Sequence, residues 1–154
     1  MEEDNLINVF TLMYSRFGAE MSKEIGIKQR IDLAVKYLEE GRSLADKNPI
    51  QASEKLYKAA EEVVKALAVR LNMDDILKIV DEKGRWTITE LEKAVSRISK
   101  KLGEWFSIAW DRANYLHVWG FHEAKLGSDA VKERIPDIEK MVSETKKIIY
   151  GNSN

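Results

Sequence analysis

The stretch NPIQASEKLYKAAEEVVKALAVRL, residues 48–71, decides the fold. Asn48 can cap a helix with its side-chain oxygen, and Pro49 falls in the first turn, where a missing N–H costs nothing. Leu56, Ala60, Val63, Leu67 and Leu71 recur every three or four residues and so form one buried stripe. Glu54 with Lys58, and Glu61 with Lys65, are correctly ordered four-residue pairs worth about 0.3 kcal/mol each, which reads as a solvated outer face. A helix with one apolar stripe needs other helices to cover it.

The flanking sequence supplies them. Upstream, a helix over about 28–46 puts Ile31, Ala34, Leu38, Gly41 and Ala45 on one face, and Gly41 permits close approach there. Before it, Leu6, Val9, Phe10 and Met13 give an amphipathic helix over about 4–16, ended in the Gly18 region. Downstream comes a short piece near 74–80 and a turn at Lys83-Gly84. Thr87-Ile88-Thr89-Glu90 then reads as a capping box opening a long helix that stops before Gly103. A further helix covers about 104–125. After a break at Gly127-Ser128, Pro136 starts a C-terminal helix to about 149, with Ile138, Met141, Val142, Ile148 and Ile149 as core. No stretch alternates with a period of two, so no sheet is expected. The expectation is an all-α, antiparallel helical bundle of five to six helices, one domain over 1–154 with a polar tail at 151–154.

Composition narrows the function classes. With 25 basic against 26 acidic residues, the surface interleaves both signs, which disfavours a duplex-DNA binder of the usual basic kind. The chain has no cysteine and two histidines, so disulfides, thiolate metal sites and His-rich metal sites are not expected, and no cofactor is implied. No apolar run approaches the roughly 18 residues that cross a bilayer, and Met1-Glu2-Glu3-Asp4 is acidic where a signal peptide is basic. A cytoplasmic protein with no membrane partner is therefore expected. The high Lys/Glu content and only two glutamines, Gln29 and Gln51, resemble thermophile composition.

Chemistry concentrates in Asp111-Arg112-Ala113-Asn114-Tyr115-Leu116-His117-Val118-Trp119-Gly120-Phe121-His122-Glu123. An arginine can clamp a phosphate while a nearby histidine moves a proton near neutral pH. At 100° per residue, Phe106, Ala109, Ala113, Leu116, Gly120 and Ala124 form the core face. Trp110, Asn114, His117 and Phe121 form one flank, while Arg112, Trp119 and Glu123 form the other. Arg112 and His117 then point about 140° apart. They can cooperate if the helix is irregular near Gly120 or at its start, or if a two-fold homodimer brings both together, with the Trp110, His117 and Phe121 flank as its interface. The alternative is that His117 is a hydrogen-bonded flank of a packed helix. His122 is given no role. Candidate cation patches for RNA are Arg97, Lys100, Lys101 and Arg112, or Lys125, Lys132 and Arg134.

The segment Pro49–Ala68 resembles the signature helix of the archaeal PaREP family, and Leu116–Glu123 resembles that family's second motif, in the same order, with the similarity spanning about 28–150. That family resembles the HEPN helical superfamily, whose domains dimerise and whose active members cut RNA without metal. The resemblance implies a catalytic Arg112 and His117, positioned by a polar residue next to the arginine. Here Ala113 holds that place and the polar Asn114 follows it. The function implied is a HEPN-like domain of RNA or nucleotide metabolism, cleaving RNA to 2′,3′-cyclic phosphate ends with Arg112, Asn114 and His117. The alternative is a non-catalytic dimerisation module, or one that binds a protein partner of unknown identity.

Overall fold

In the computed structural model, which describes residues 2–151, the chain forms seven α-helices and one π-helical segment, with no strand among those residues. The all-α expectation holds. Met1 and the Asn152-Ser153-Asn154 part of the polar tail lie outside the described residues.

The helices are α1 (Glu2–Leu44), α2 (Pro49–Arg70), α3 (Asp74–Lys83), α4 (Ile88–Leu102), α5 (Glu104–Tyr115), α6 (Ser128–Lys132) and α7 (Ile135–Tyr150), with the π segment Leu116–His122 following α5. Helix α2 is the hub. It begins as the sequence indicates, with the Asn48 side chain accepting from the Gln51 N–H and Pro49 in the first turn. It packs against α1, α4, α5, α7 and the π segment. Its stripe residues Leu56, Ala60, Val63 and Leu67 are fully buried, joined by Ala52, Ala59, Val64 and Ala66, so α2 is covered on more than one face. Ile31, Ala34 and Leu38 of α1 and Ile138, Met141 and Val142 of α7 complete that core.

Gly41 behaves as its position in the stripe requires: a Cβ there would stand 2.7 Å from Leu56 Cδ2, so only glycine lets α1 and α2 approach this closely. The capping box of α4 also forms, with Glu90 accepting from the Thr87 N–H at 3.1 Å.

The N-terminal region departs from expectation. Instead of two helices separated at Gly18, α1 is one helix of 43 residues, about 65 Å long. Glycine inside a helix costs only about 1 kcal/mol relative to alanine, and Ala19, Glu20, Met21, Lys23 and Glu24 around Gly18 and Gly26 are good helix formers. No proline intervenes to break the ladder. Helix α2 ends beside Lys23 and Glu24, which bond Asn72 at 2.5 Å and Arg70 at 3.2 Å. Every residue from Asn5 to Ser22 is exposed, so Leu6, Val9, Phe10 and Met13 do not join the core.

Candidate functional site

The site is made by a change of helical register. Helix α5 runs to Tyr115, and the chain then widens into the π turn, in which the Glu123 N–H bonds the Val118 carbonyl five residues back at 2.8 Å. Gly120 seats this turn on α2. A Cβ on Gly120 would lie 2.5 Å from Ser53 Cβ and overlap its hydroxyl, so the π backbone rests directly on Ser53. Phe106, Ala109, Ala113, Leu116 and Gly120 are buried, as the core-face reading requires. Ala124 is exposed instead, with φ at 52°, because the segment has already left helical geometry.

The wide turn brings His117 and His122 together, with Nε2 to Nε2 at 3.1 Å and the rings edge to face. Behind them, Glu54 on α2 lies 2.8 Å from His117 Nδ1. A carboxylate accepts, so Nδ1 is the donor to Glu54 and Nε2 is the ring nitrogen that faces His122. Tyr57, one turn along α2, stacks on the His117 ring at 4.1 Å and 22°. Burial, then the Glu61 and Glu54 carboxylates, push the Tyr57 phenol well above its usual range, so it stays a neutral hydroxyl. His117 is thus clamped between a carboxylate and an aromatic face, with its Nε2 edge turned to His122.

Beside this pair runs a groove of about 550 Å³, lined by Tyr57, Glu61, Trp86, Glu92, Asn114 and His117 among others. Asn114 donates to Glu92 Oε1 at 3.3 Å, and Trp110 Nε1 donates to the same oxygen at 2.8 Å. Trp110 is fully buried, with its ring 5.7 Å from Tyr57. It therefore belongs to the core behind Tyr57 and offers nothing to an interface, unlike the interface flank expected for it.

The three residues singled out from sequence have separate partners. His117 and Asn114 both line the groove. Arg112 is instead held by Asp137 of α7 at 2.8 Å. Other cations expected in patches are also engaged: Arg97 forms a two-pronged pair with Asp75, Lys132 pairs with Asp46, and Arg134 lies over the Tyr115 ring at 4.4 Å. Asp75 is accordingly held down to about 2, first by its hydrogen bond from Arg97.

Glu54, Tyr57 and His122 belong to the site without being singled out by the sequence. The sequence spacing makes Glu54 a solvated partner of Lys58, yet its side chain is 14% exposed and turned to His117. His122 has no role in the sequence reading, yet the π turn brings it to His117. The signal available was that Glu54 and Tyr57 lie in one family-like segment, and His117 and His122 in the other. Those two segments are the ones that meet. Among the described residues no cluster of three or more metal-ligating side chains occurs.

No curated protein matches the chain. It is similar to a crystal structure of a protein from Sulfolobus solfataricus, with 38% identity and a TM-score of 0.68 over 73% of this chain and 93% of that one. A solution structure with the same target designation gives 36% identity and a TM-score of 0.67, over 78% of this chain and 93% of that one. The model of the archaeal PaREP1/PaREP8 family matches residues 29–142, which include α2, α5 and the π segment, and the chain belongs to that family.

Proposed function

We propose that this protein is a HEPN-like RNA-processing domain that cleaves RNA without a metal, using His117 and His122 as its proton-transfer pair. The observation that carries the reading is the 3.1 Å approach of the two Nε2 atoms with Glu54 bonded behind His117. With one extra proton on the pair, His117 is a base and His122 an imidazolium acid. A phosphodiester takes the place of their direct hydrogen bond as the exposed His122 ring swings outward to make room for it.

His117 Nε2 then takes the proton of the 2′-hydroxyl, and the freed oxygen attacks phosphorus. The bond to the 5′-oxygen breaks, and His122 gives that oxygen its proton. The products are a 2′,3′-cyclic phosphate and a 5′-hydroxyl, and the pair ends with the same number of protons, their places exchanged. The imidazolium supplies positive charge to the phosphoryl oxygens. In the adjoining groove, Trp86 offers a stacking face, and the Glu61 and Glu92 carboxylates accept from amino groups of a base. Asn114 fixes Glu92. Arg112 contributes by exchanging Asp137 for a flanking phosphate of the same strand.

A second reading, a non-catalytic partner-binding module, is favoured by one observation: Arg112 already has an anionic partner in Asp137. Purified protein incubated with single-stranded RNA in EDTA separates the two. Cleavage leaving 2′,3′-cyclic phosphate ends, abolished by His117→Ala and by His122→Ala with melting curves preserved, is the expected result. Intact RNA with the wild-type protein overturns the catalytic reading, and cleavage that survives both substitutions assigns the activity elsewhere.

A further inference from the structure

The N-terminal half of α1 is built as an interaction arm. From Asn5 to Ser22 it leaves the bundle as a free helix, because α2 stops where Arg70 and Asn72 meet Glu24 and Lys23. Residues 2–22 extend about 30 Å past that point. The arm also precedes the residues that match the family.

Its chemistry does not suit water. Nine large hydrophobic residues lie between Leu6 and Met21, each 49–76% exposed. At roughly 100 Å² of apolar surface apiece, they present on the order of 1,000 Å². The largest apolar patch of a soluble monomer is about 300–600 Å², and a stable interface needs about 800 Å² from each partner. One arm therefore carries enough surface for a dimer and too much for a monomer.

The occupant follows from charge and pattern. A helix lying on a membrane surface carries a lysine- and arginine-rich polar face. This arm offers Arg16 alone before Lys23, begins Glu2-Glu3-Asp4, and is not apolar enough to cross a bilayer. What matches an uncharged apolar stripe is another such stripe. Leu6, Phe10, Met13 and Phe17 are spaced by four, three and four residues, the seam of a two-helix pair. Run antiparallel, the seam is self-complementary: Leu6 meets Phe17 of the second copy, and Phe10 meets Met13. That direction also separates the two acidic ends and opposes the helix dipoles.

We infer that the arm pairs antiparallel with the arm of a second copy of this chain, holding two bundles at opposite ends of a shared helical rod. This rests on the arm alone and not on the proposed RNA chemistry. The full chain is examined by light scattering after size exclusion, with Phe10→Asp combined with Phe17→Asp as the variant. The substitution is expected to halve the mass while the melt of the bundle stays unchanged, because these side chains touch none of the core. Since the chain has no cysteine, single-cysteine variants read the direction directly. An equimolar mixture of Leu6→Cys and Phe17→Cys chains should cross-link to one another at least several-fold more than either does to itself.

A monomeric wild-type chain at tens of micromolar overturns the inference, as does a mass that the double substitution leaves unchanged. Preferential self-cross-linking of each variant overturns the antiparallel pairing. Sedimentation of a monomeric chain with phosphatidylglycerol vesicles assigns the arm to a membrane and overturns the inference too.

Discussion

His117 and His122 face each other through their Nε2 atoms at 3.1 Å, although five residues separate them in sequence. In an α-helix they would point about 140° apart. In the π turn, five residues come close to one full revolution, and both rings fall on the same side. The same turn places Gly120 on Ser53, so one backbone feature both locks the segment to α2 and creates the imidazole pair.

Glu54 tests whether that pair is chemical. A glutamine there still offers a carbonyl to the His117 Nδ1–H, so the ring keeps its orientation while the carboxylate charge that steadies an imidazolium is lost. Glu54→Gln should lower kcat for RNA cleavage about tenfold or more with KM little changed, against a loss of about 10²-fold or more for His117→Ala. A kcat equal to wild type would leave Glu54 a packing residue.

Much of the bundle was legible because helix signals are local. Asn48 and Pro49 mark the start of α2, Thr87 and Glu90 the start of α4, and the three-and-four spacing of Ile31, Ala34 and Leu38 marks a buried face. The continuity of α1 was hidden because a glycine is a weak breaker whose effect depends on the residues around it. Part of the site was hidden for a different reason. His122 joins it through a π turn that a fixed rotation of 100° per residue does not contain, and Glu54 joins it across a separation of 63 residues. Trp110, read as a flank, is buried because α2 is covered on more faces than its single stripe suggested.

Gly120→Ala should show that packing governs the π turn. Alanine is the better helix former by about 1 kcal/mol, yet its methyl would overlap Ser53, whose hydroxyl is held by the Pro49 carbonyl at 2.7 Å. The overlap wins, and a net destabilisation of about 1–3 kcal/mol is expected, against within about 0.5 kcal/mol for Lys93→Ala on the exposed face of α4. Urea melts compare the two, and equal midpoints would mean that Ser53 can move away at no cost.

Glu90 sets part of the acid response. Its carboxylate is lowered to about 2, first by the hydrogen bond from Lys83 at 2.5 Å and then by Thr87. A group depressed on folding stabilises above its unfolded value, near 4.3, and loses that contribution as pH falls toward the folded value. Stability should therefore drop between about pH 5 and pH 2, and Glu90→Gln should flatten that drop while lowering stability at pH 7. Denaturant midpoints at pH 7 and pH 3 provide the check. An unchanged slope in Glu90→Gln would place the acid sensitivity elsewhere.

Arg112 separates the two functional readings. Its pair with Asp137 is half open to solvent on the arginine side, and such pairs contribute about 0–1 kcal/mol, so Arg112→Ala should barely move the melting temperature. If Arg112 takes a flanking RNA phosphate, that substitution should weaken RNA binding and reduce the dependence of log affinity on log salt by about one phosphate contact. Asp137→Asn should act in the opposite direction, because it removes the anion with which RNA competes for the guanidinium. Fluorescence anisotropy with a labelled single-stranded RNA at two salt concentrations reads both effects. Identical affinities for wild type, Arg112→Ala and Asp137→Asn would confine Arg112 to the α5–α7 contact and remove it from any RNA site.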